Sequence, residues 1–224
     1  YMRQNQDKYK DFKFYPCMPY AHKYANAVTE LGIMGTLKAY IPGNILSVAS
    51  KAGIAYMRKD FPTLMELLID AEMKMFHDLN TPVIFLQNVI VDLLMGLGTD
   101  EIFVHYVNYI KEKYNASPGF ITMNLPKMVD LCERLDIENP IICSSINKIG
   151  FRMSGSNEIY EDYLNSDKEF RPMAMQCLAA GALKPEEAME YVCRFPKIES
   201  VLFGASSRAH IQQIKDLVES YSQK

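Results

Sequence analysis

Short apolar runs alternate with amphipathic segments along most of the chain. An apolar run of this length is typical of a strand buried on both faces of a parallel sheet. An amphipathic segment is typical of a helix that covers such a sheet. The pattern is clearest at 61–79, where leucine, alanine and methionine repeat at helical spacing, and at the apolar run 83–86 that follows.

The pattern predicts seven strand-helix units. The predicted strands are 12–18, 34–41, 83–86, 119–123, 140–146, 172–177 and 201–203. The predicted helices are 21–31, 61–79, 89–114 with a break at residues 96–98, 126–135, 158–164, 185–194 and 210–221. Alternation of this kind builds an α/β fold with a parallel sheet.

We interpret the chain as a (β/α)8 TIM barrel whose first unit lies upstream of Tyr1, with residues 1–224 forming a single domain. A doubly wound open sheet is the alternative. That fold is expected to carry a GxGxxG loop after its first strand, and the sequence contains none. The barrel is therefore the favoured prediction.

Charge and composition limit the kinds of molecule that this protein is expected to bind. The net charge of −3 gives no reason to expect nucleic acid, which favours a basic face. No apolar run approaches the ~20 residues that cross a bilayer, so we expect no membrane partner. The five cysteines are odd in number, scattered and without a CxxC pair, which predicts reduced thiols in a cytoplasmic protein.

In a barrel the active site forms at the C-terminal ends of the strands, so the residues there are the candidates for chemistry. In chain order they are Cys17, Tyr20, His22, Lys23, Lys38, Gln87, Asn88, Asn124, Asn147, Lys148, Arg152, Gln176, Ser206, Ser207 and Arg208. Amides and cations dominate this set, and carboxylates are missing from it. We therefore predict no metal site and a small anionic ligand or substrate.

Several of these residues also have a purely structural interpretation. An asparagine after a strand often caps the next helix, which applies equally to Asn88 and Asn124. Asn147 and Lys148 can belong to a solvated loop, and Cys17 to the core. Lys38 is harder to explain in this way, because a lysine inside an apolar strand is costly without a partner.

The stretch 201–208 combines a short apolar strand, Gly204, two serines and the start of a helix. Gly204 lets the backbone turn, and Ser206 or Ser207 can cap the helix at its positive end. This arrangement forms a natural cradle for a phosphate or a carboxylate.

Residues 172–214, PMAMQCLAAGALKPEEAMEYVCRFPKIESVLFGASSRAHIQQI, resemble the end of the aldo/keto reductase family. In that family a G-A-S-S-like turn and a helix N-terminus hold the phosphate of a nicotinamide dinucleotide. The resemblance implies that Ser206, Ser207 and Arg208 contact the phosphate of NADP or NAD. We expect the remaining cofactor-binding residues at the same mouth to be Asn124, Asn147 and Lys148.

The family's reaction uses a tyrosine acid supported by a lysine, an aspartate and commonly a histidine. The resemblance implies that Tyr20 and Lys38 fill the first two roles, because a lysine lowers a tyrosine pKa enough for the phenol to protonate a carbonyl. Gln87 stands where a histidine is expected, and FKFYPCMPY contains no aspartate. The expected function is an NAD(P)H-dependent oxidoreductase with an altered active site.

Two other functions stay open at this point. A Schiff-base lyase or aldolase would use Lys38 as its amine, with a pKa lowered by burial and neighbouring cations. A non-catalytic ligand-binding barrel is favoured by the incomplete catalytic set.

Overall fold

A computed structural model describes residues 3–20 and 60–222. The elements predicted at 21–31 and 34–41 lie outside these residues, and so do His22, Lys23 and Lys38.

Within the described residues, six strands form one sheet in their order along the chain. They are β1 (Cys17–Met18), β2 (Val83–Leu86), β3 (Ser117–Thr122), β4 (Ile141–Ser145), β5 (Arg171–Met175) and β6 (Ser200–Leu202). The pairs β1–β2, β4–β5 and β5–β6 are parallel. This order agrees with the barrel prediction rather than with a doubly wound sheet, whose strand order reverses part of the way along.

Helices alternate with these strands. They are α1 (Gln6–Tyr9), α2 (Phe61–Met73), α3 (Asn88–Leu97), α4 (Asp100–Tyr114), α5 (Leu125–Arg134), α6 (Asn157–Asn165), α7 (Pro185–Cys193) and α8 (Arg208–Ser222). Short 3₁₀ helices lie at Arg3–Asn5, Lys74–Phe76 and Ala179–Gly181. None of the helices in the described segments is long and apolar enough to cross a membrane.

The predicted elements from residue 83 onward are confirmed to within two residues, and the break predicted at residues 96–98 divides the helical segment into α3 and α4. The backbone of Gly98 is left-handed, with φ 69°, and this conformation ends α3 before α4 begins. Two earlier predictions were too long. The strand predicted at 12–18 is reduced to Cys17–Met18, and the helix predicted at 61–79 ends at Met73.

The helices in the second half of the chain begin with residue types that are favoured at helix N-termini. The side chain of Asn124 accepts a hydrogen bond from the backbone N–H of Lys127, and that of Ser156 accepts one from Ile159. Pro185 is the first residue of α7. A backbone N–H at this position has no acceptor within the helix, so proline, which lacks the N–H, removes no hydrogen bond there. These signals place the strand-to-helix turns that carry the candidate site.

The chain divides into two compact units, Tyr1–Gly119 and Phe120–Lys224. The prediction of a single domain is not tested by this division and stays a prediction. In the first unit, every residue of β2 is buried. One face of α4 is buried as well, and its largest side chains are Phe103 and Tyr106.

The second unit has its core around β4, which is buried along its whole length. Leu125 and Met128 of α5, Tyr160 of α6 and Met189 of α7 are fully buried with it. By contrast, α8 packs on α7 and buries only Ile214 fully. The final helix is therefore the most solvent-exposed long element of this unit.

All five cysteines are free thiols. Burial, together with the negative charge of Glu72, raises the pKa of Cys17 to about 12. Burial likewise raises the pKa of Cys132 and of Cys177 to about 12. These three thiols are therefore protonated at neutral pH, and none is an activated nucleophile.

Asp70 on α2 is the centre of a polar network with α4. Its carboxylate accepts hydrogen bonds from the hydroxyls of Tyr109 and Tyr114 and from the Lys113 ammonium, the last two at 2.5 Å. Burial alone would raise the pKa of Asp70, but these hydrogen bonds hold it below its ordinary value of 3.8. Burial and the hydrogen bonds to Asp70 raise the pKa of Tyr109 and of Tyr114 above its ordinary value of 10.

We expect Asp70→Asn to lower the free energy of unfolding by about 1 kcal/mol at neutral pH. Because the folded-state pKa is depressed, the carboxylate stabilises the fold above pH 3.8, and this contribution is lost as pH falls through the folded value. Chemical denaturation between about pH 7 and pH 3 should therefore show a smaller loss of stability in the variant than in the wild type. Parallel curves for the two proteins would contradict this role.

Candidate functional site

The C-terminal ends of β3, β4, β5 and β6 lie side by side. Asn124, Asn147 and Gln176 follow the first three of these strands, and Gly204 follows the last. Because neighbouring parallel strands end at one edge of a sheet, the turns that carry these residues lie along that edge.

Asn124 holds the turn between β3 and α5. Its Oδ1 accepts the N–H of Lys127 at 3.2 Å, and its own N–H donates to Thr122 Oγ1 at 2.9 Å. The structural interpretation of Asn124 as a helix cap is therefore confirmed. Its role in cofactor binding stays a prediction.

Asn147 is fully buried, and both ends of its amide are bonded to the same residue. Its Nδ2 donates to the carbonyl of Phe151, and its Oδ1 accepts the N–H of Phe151, both at 2.8 Å. Asn157 donates to the Asn147 carbonyl at 3.1 Å. Asn147 thus closes the loop that carries Phe151 and Arg152, and cofactor binding by its amide stays a prediction.

Lys148 points to a different place from Asn147. Its ammonium pairs with Glu187 of α7 at 2.6 Å, and half of its side chain is exposed. It lines a shallow depression with Asn157 and Tyr191. The structure therefore gives Lys148 a surface ion pair, and its predicted contact with a cofactor is not tested.

The turn before α8 has the form that its sequence predicts. Ser207 caps the helix, because its hydroxyl accepts the N–H of His210 at 3.2 Å. The Ser206 hydroxyl lies 3.3 Å from Nδ1 of His210. Arg208, the first residue of α8, is exposed, and its guanidinium forms no hydrogen bond or ion pair with another described residue.

A cleft of about 910 Å³ opens beside this turn, and we call it the α8 cleft. Its polar and backbone lining comes from Lys184, Gly204, Ala205, Ser206, His210 and Gln213. No aspartate or glutamate is among the described residues that line it. The α8 cleft therefore combines a helix N-terminus with a lysine and a histidine, without a competing carboxylate.

A second cavity, of about 590 Å³, lies at the ends of β5 and β6, and we call it the Gln176 cavity. It is lined by Phe151, Arg152, Gln176, Leu178, Leu202 and Phe203, among others. Leu178 and Gly204 line both this cavity and the α8 cleft. The two spaces are therefore neighbouring compartments of one region. Apolar surface dominates both, and the α8 cleft has the larger polar share.

Ser145 controls the orientation of the Gln176 amide. The Ser145 hydroxyl is completely buried, and it lies 2.8 Å from Gln176 Oε1 and 3.1 Å from the sulfur of Met123. An amide oxygen is a much better acceptor than a thioether, so the hydroxyl proton goes to Gln176. The Nε2 group of Gln176 then has no partner among the described residues.

The backbone around the Gln176 cavity is strained. Arg152, Gln176, Ala179 and Ala180 all have positive φ angles, between 47° and 56°, although none of them is glycine. Each such residue costs of order 1 kcal/mol or more, and strain of this kind clusters at ligand-binding sites. The Asn147 loop closure and the Ser145 hydrogen bond are two of the contacts that hold this arrangement.

The predicted catalytic residues belong to the first unit or lie outside the described chain. Tyr20 is 51% exposed, and its N–H donates to the buried carboxylate of Glu72 at 3.1 and 3.2 Å. Gln87 is buried at the start of α3. Lys38 is not among the described residues. The catalytic roles of these three residues stay predictions.

No group of three or more histidine, cysteine, aspartate or glutamate side chains in residues 3–20 and 60–222 is placed to hold a metal ion. Comparisons of this chain with protein-family models, with curated proteins and with solved structures find no match.

Proposed function

We propose that this protein binds a phosphorylated nicotinamide cofactor, NADPH or NADH, with a phosphate group at the α8 cleft. The observation that carries the proposal is Arg208. Its guanidinium is exposed and unpaired within the described chain, at the first position of a fifteen-residue helix. The adjoining cleft contributes Lys184 and His210.

The chemistry of this turn suits a phosphate. By helix geometry the first N–H groups of α8 have no intrahelical acceptor, and Ser207 takes only that of His210. The N–H groups of Arg208 and Ala209 are therefore available to a ligand at the N-terminal end of α8, where the helix dipole also favours negative charge. An arginine beside them supplies two further donors in the geometry that phosphate oxygens accept.

We propose that the sheet belongs to an eight-unit barrel of the aldo/keto reductase type. The sequential strand order supports this proposal, as does the likeness of residues 172–214 to the end of that family. In this arrangement Asn124 and Asn147 shape the loops of the barrel mouth, and Ser206, Ser207 and Arg208 contact the cofactor.

We propose that the activity is reduction of a carbonyl compound by the bound cofactor. The Tyr20 phenol would supply the proton, supported by Lys38, with Gln87 as a neutral neighbour. Tyr20 and Gln87 follow a register pair of adjacent strands, Met18 and Leu86, which supports their action on one substrate. Consumption of NADPH with carbonyl compounds that is unchanged in Tyr20→Phe would exclude this role for Tyr20.

The cofactor proposal predicts that Arg208→Ala weakens NADPH binding about tenfold or more, because one charge-assisted contact to phosphate is lost. Isothermal titration calorimetry with NADPH and with NADH measures this effect. Lys215→Ala is the matched control: Lys215 is a cation on the same helix, pairs with Glu219 and lies beyond the first turn, where the phosphate is proposed to bind. We expect its affinity to equal that of the wild type.

Two results would overturn the cofactor proposal. One is the absence of any heat or fluorescence response of the wild-type protein to either dinucleotide. The other is an equal loss of affinity in Arg208→Ala and Lys215→Ala, which would mean that binding follows the overall surface charge. A difference between NADPH and NADH that disappears in Arg208→Ala would assign Arg208 to the additional phosphate.

A further inference from the structure

We infer that the Gln176 cavity binds a small carboxylate with an apolar, ring-sized body, whose two oxygens are held by Arg152 and Gln176. This inference names the substrate class for the compartment beside the α8 cleft, and in that sense it rests on the proposed function. It is carried by the side chains of the cavity itself, which differ from those that would hold a phosphate.

Arg152 is the only charged side chain that lines the Gln176 cavity within the described chain. It forms no ion pair there, and its guanidinium lies over the ring of Phe151, 5.5 Å from the centroid. Asn147 fixes both backbone groups of Phe151, so the guanidinium is carried on a loop that is already closed. An unpaired arginine on a fixed loop is suited to an anionic oxygen.

Gln176 supplies the second contact. Ser145 occupies its carbonyl oxygen at 2.8 Å, so the free group of the amide is the Nε2 donor. A ligand that places an acceptor oxygen beside Gln176 is favoured, and one that places a donor there is not. The left-handed backbone of Gln176, at φ 56°, holds the side chain at this position against its local preference.

The rest of the cavity selects the body of the ligand. Phe151, Leu178, Leu202 and Phe203 form apolar walls, and no carboxylate lines the cavity among the described residues. The volume of about 590 Å³ lies in the range of small-molecule sites. A ring or a branched chain fills such a space, while the carboxylate meets the two polar groups.

The test is a titration of the whole protein with 3-phenylpropionate and with 3-phenylpropan-1-ol, which keeps the ring and lacks the carboxylate. Binding is followed through the labelled methyl group of Met175, which lines the cavity, and by calorimetry. We expect the carboxylate to bind at least tenfold more tightly than the alcohol. Arg152→Gln should remove most of this difference, and Gln176→Leu should reduce it several-fold.

Arg134→Gln is the matched control, because Arg134 is an exposed arginine at the end of α5 that does not line the cavity. It should keep the wild-type preference, and the methyl spectrum shows whether each variant is folded. Equal affinity for the two probes, no shift of Met175 with either at millimolar concentration, or an equal loss in Arg134→Gln and Arg152→Gln would overturn the inference.

The titration is run with and without NADPH, so the two proposals fail separately. If the carboxylate binds through Arg152 and no dinucleotide binds, the inferred substrate class is retained and the cofactor proposal is rejected. Dinucleotide binding that depends on Arg208, without a preference for the carboxylate, would do the reverse.

Discussion

Gly119→Ala is expected to lower the free energy of unfolding by about 3 kcal/mol, because the core has no space for one additional carbon. A Cβ atom at Gly119 in β3 would lie 2.6 Å from Cδ1 and Cε1 of the Phe85 ring in β2. Phe85 is only 3% exposed, so the ring cannot turn into solvent. The two strands cannot separate easily, since the buried hydroxyl of Tyr106 lies 2.6 Å from the carbonyl oxygen of Ile84 in β2 and 3.4 Å from that of Gly119 in β3.

Urea denaturation of the wild type and four variants, Gly119→Ala, Gly96→Ala, Phe85→Leu and the double variant, measures this effect. The control is Gly96→Ala in α3, where the new methyl group meets nothing within 4 Å and should stabilise the helix by about 0.5–1 kcal/mol. The double variant Gly119→Ala with Phe85→Leu should lose less stability than the sum of its single changes, because the smaller side chain leaves room for the Cβ. Wild-type stability of Gly119→Ala would show that the Phe85 ring is able to move.

Asn147→Ala is expected to lower the free energy of unfolding by about 3 kcal/mol and to weaken the binding of 3-phenylpropionate. Removing the amide leaves the N–H and carbonyl of Phe151 without their partners in a partly buried environment, at about 1–3 kcal/mol for each group. The loop that presents Arg152 to the Gln176 cavity is then no longer closed. Affinity should fall although Asn147 does not line that cavity.

Denaturation and the 3-phenylpropionate titration measure the two effects on the same sample. Asn165→Ala is the control, because Asn165 is exposed at the end of α6 and its loss should change stability by less than about 0.5 kcal/mol. A variant of Asn147 that is destabilised but binds the probe with wild-type affinity would confine Asn147 to folding. Unchanged stability would contradict the loop closure itself.

The elements from residue 83 onward were predictable because each carries its own signal. The run VIFL is buried on both faces, and Gly98, Pro126 and Pro185 mark helix boundaries through local backbone chemistry. The residues before Cys17 were overpredicted as a strand because aromatic side chains favour strands in general. Phe12 and Tyr15 are exposed, at 54% and 43%, so their apolar character does not mark a buried strand.

The sequence predicted where the candidate residues lie in the fold better than it predicted what their side chains contact. The candidate residues from Asn124 onward lie after strands as the sequence predicts, and the turn at 204–207 leads into α8. The side chain of Asn147 bonds within its own loop, which spacing along the chain cannot reveal. Gln176 and Arg152 meet in a cavity that joins three separate loops, which the sequence does not reveal. The available signal for Ser145 was a pair of serines, Ser144 and Ser145, at the end of an apolar strand.

The shallow packing of α8 affects any ligand held at its first turn. With Ile214 as its only fully buried residue in the described structure, α8 is held by little apolar surface, and a helix of this kind opens locally at a free energy well below that of global unfolding. Only the docked helix presents its N–H groups and Arg208 together. The apparent dissociation constant is therefore the intrinsic one divided by the docked fraction, so affinity at the α8 cleft depends on how well α8 packs on α7 as well as on the atoms that touch the ligand.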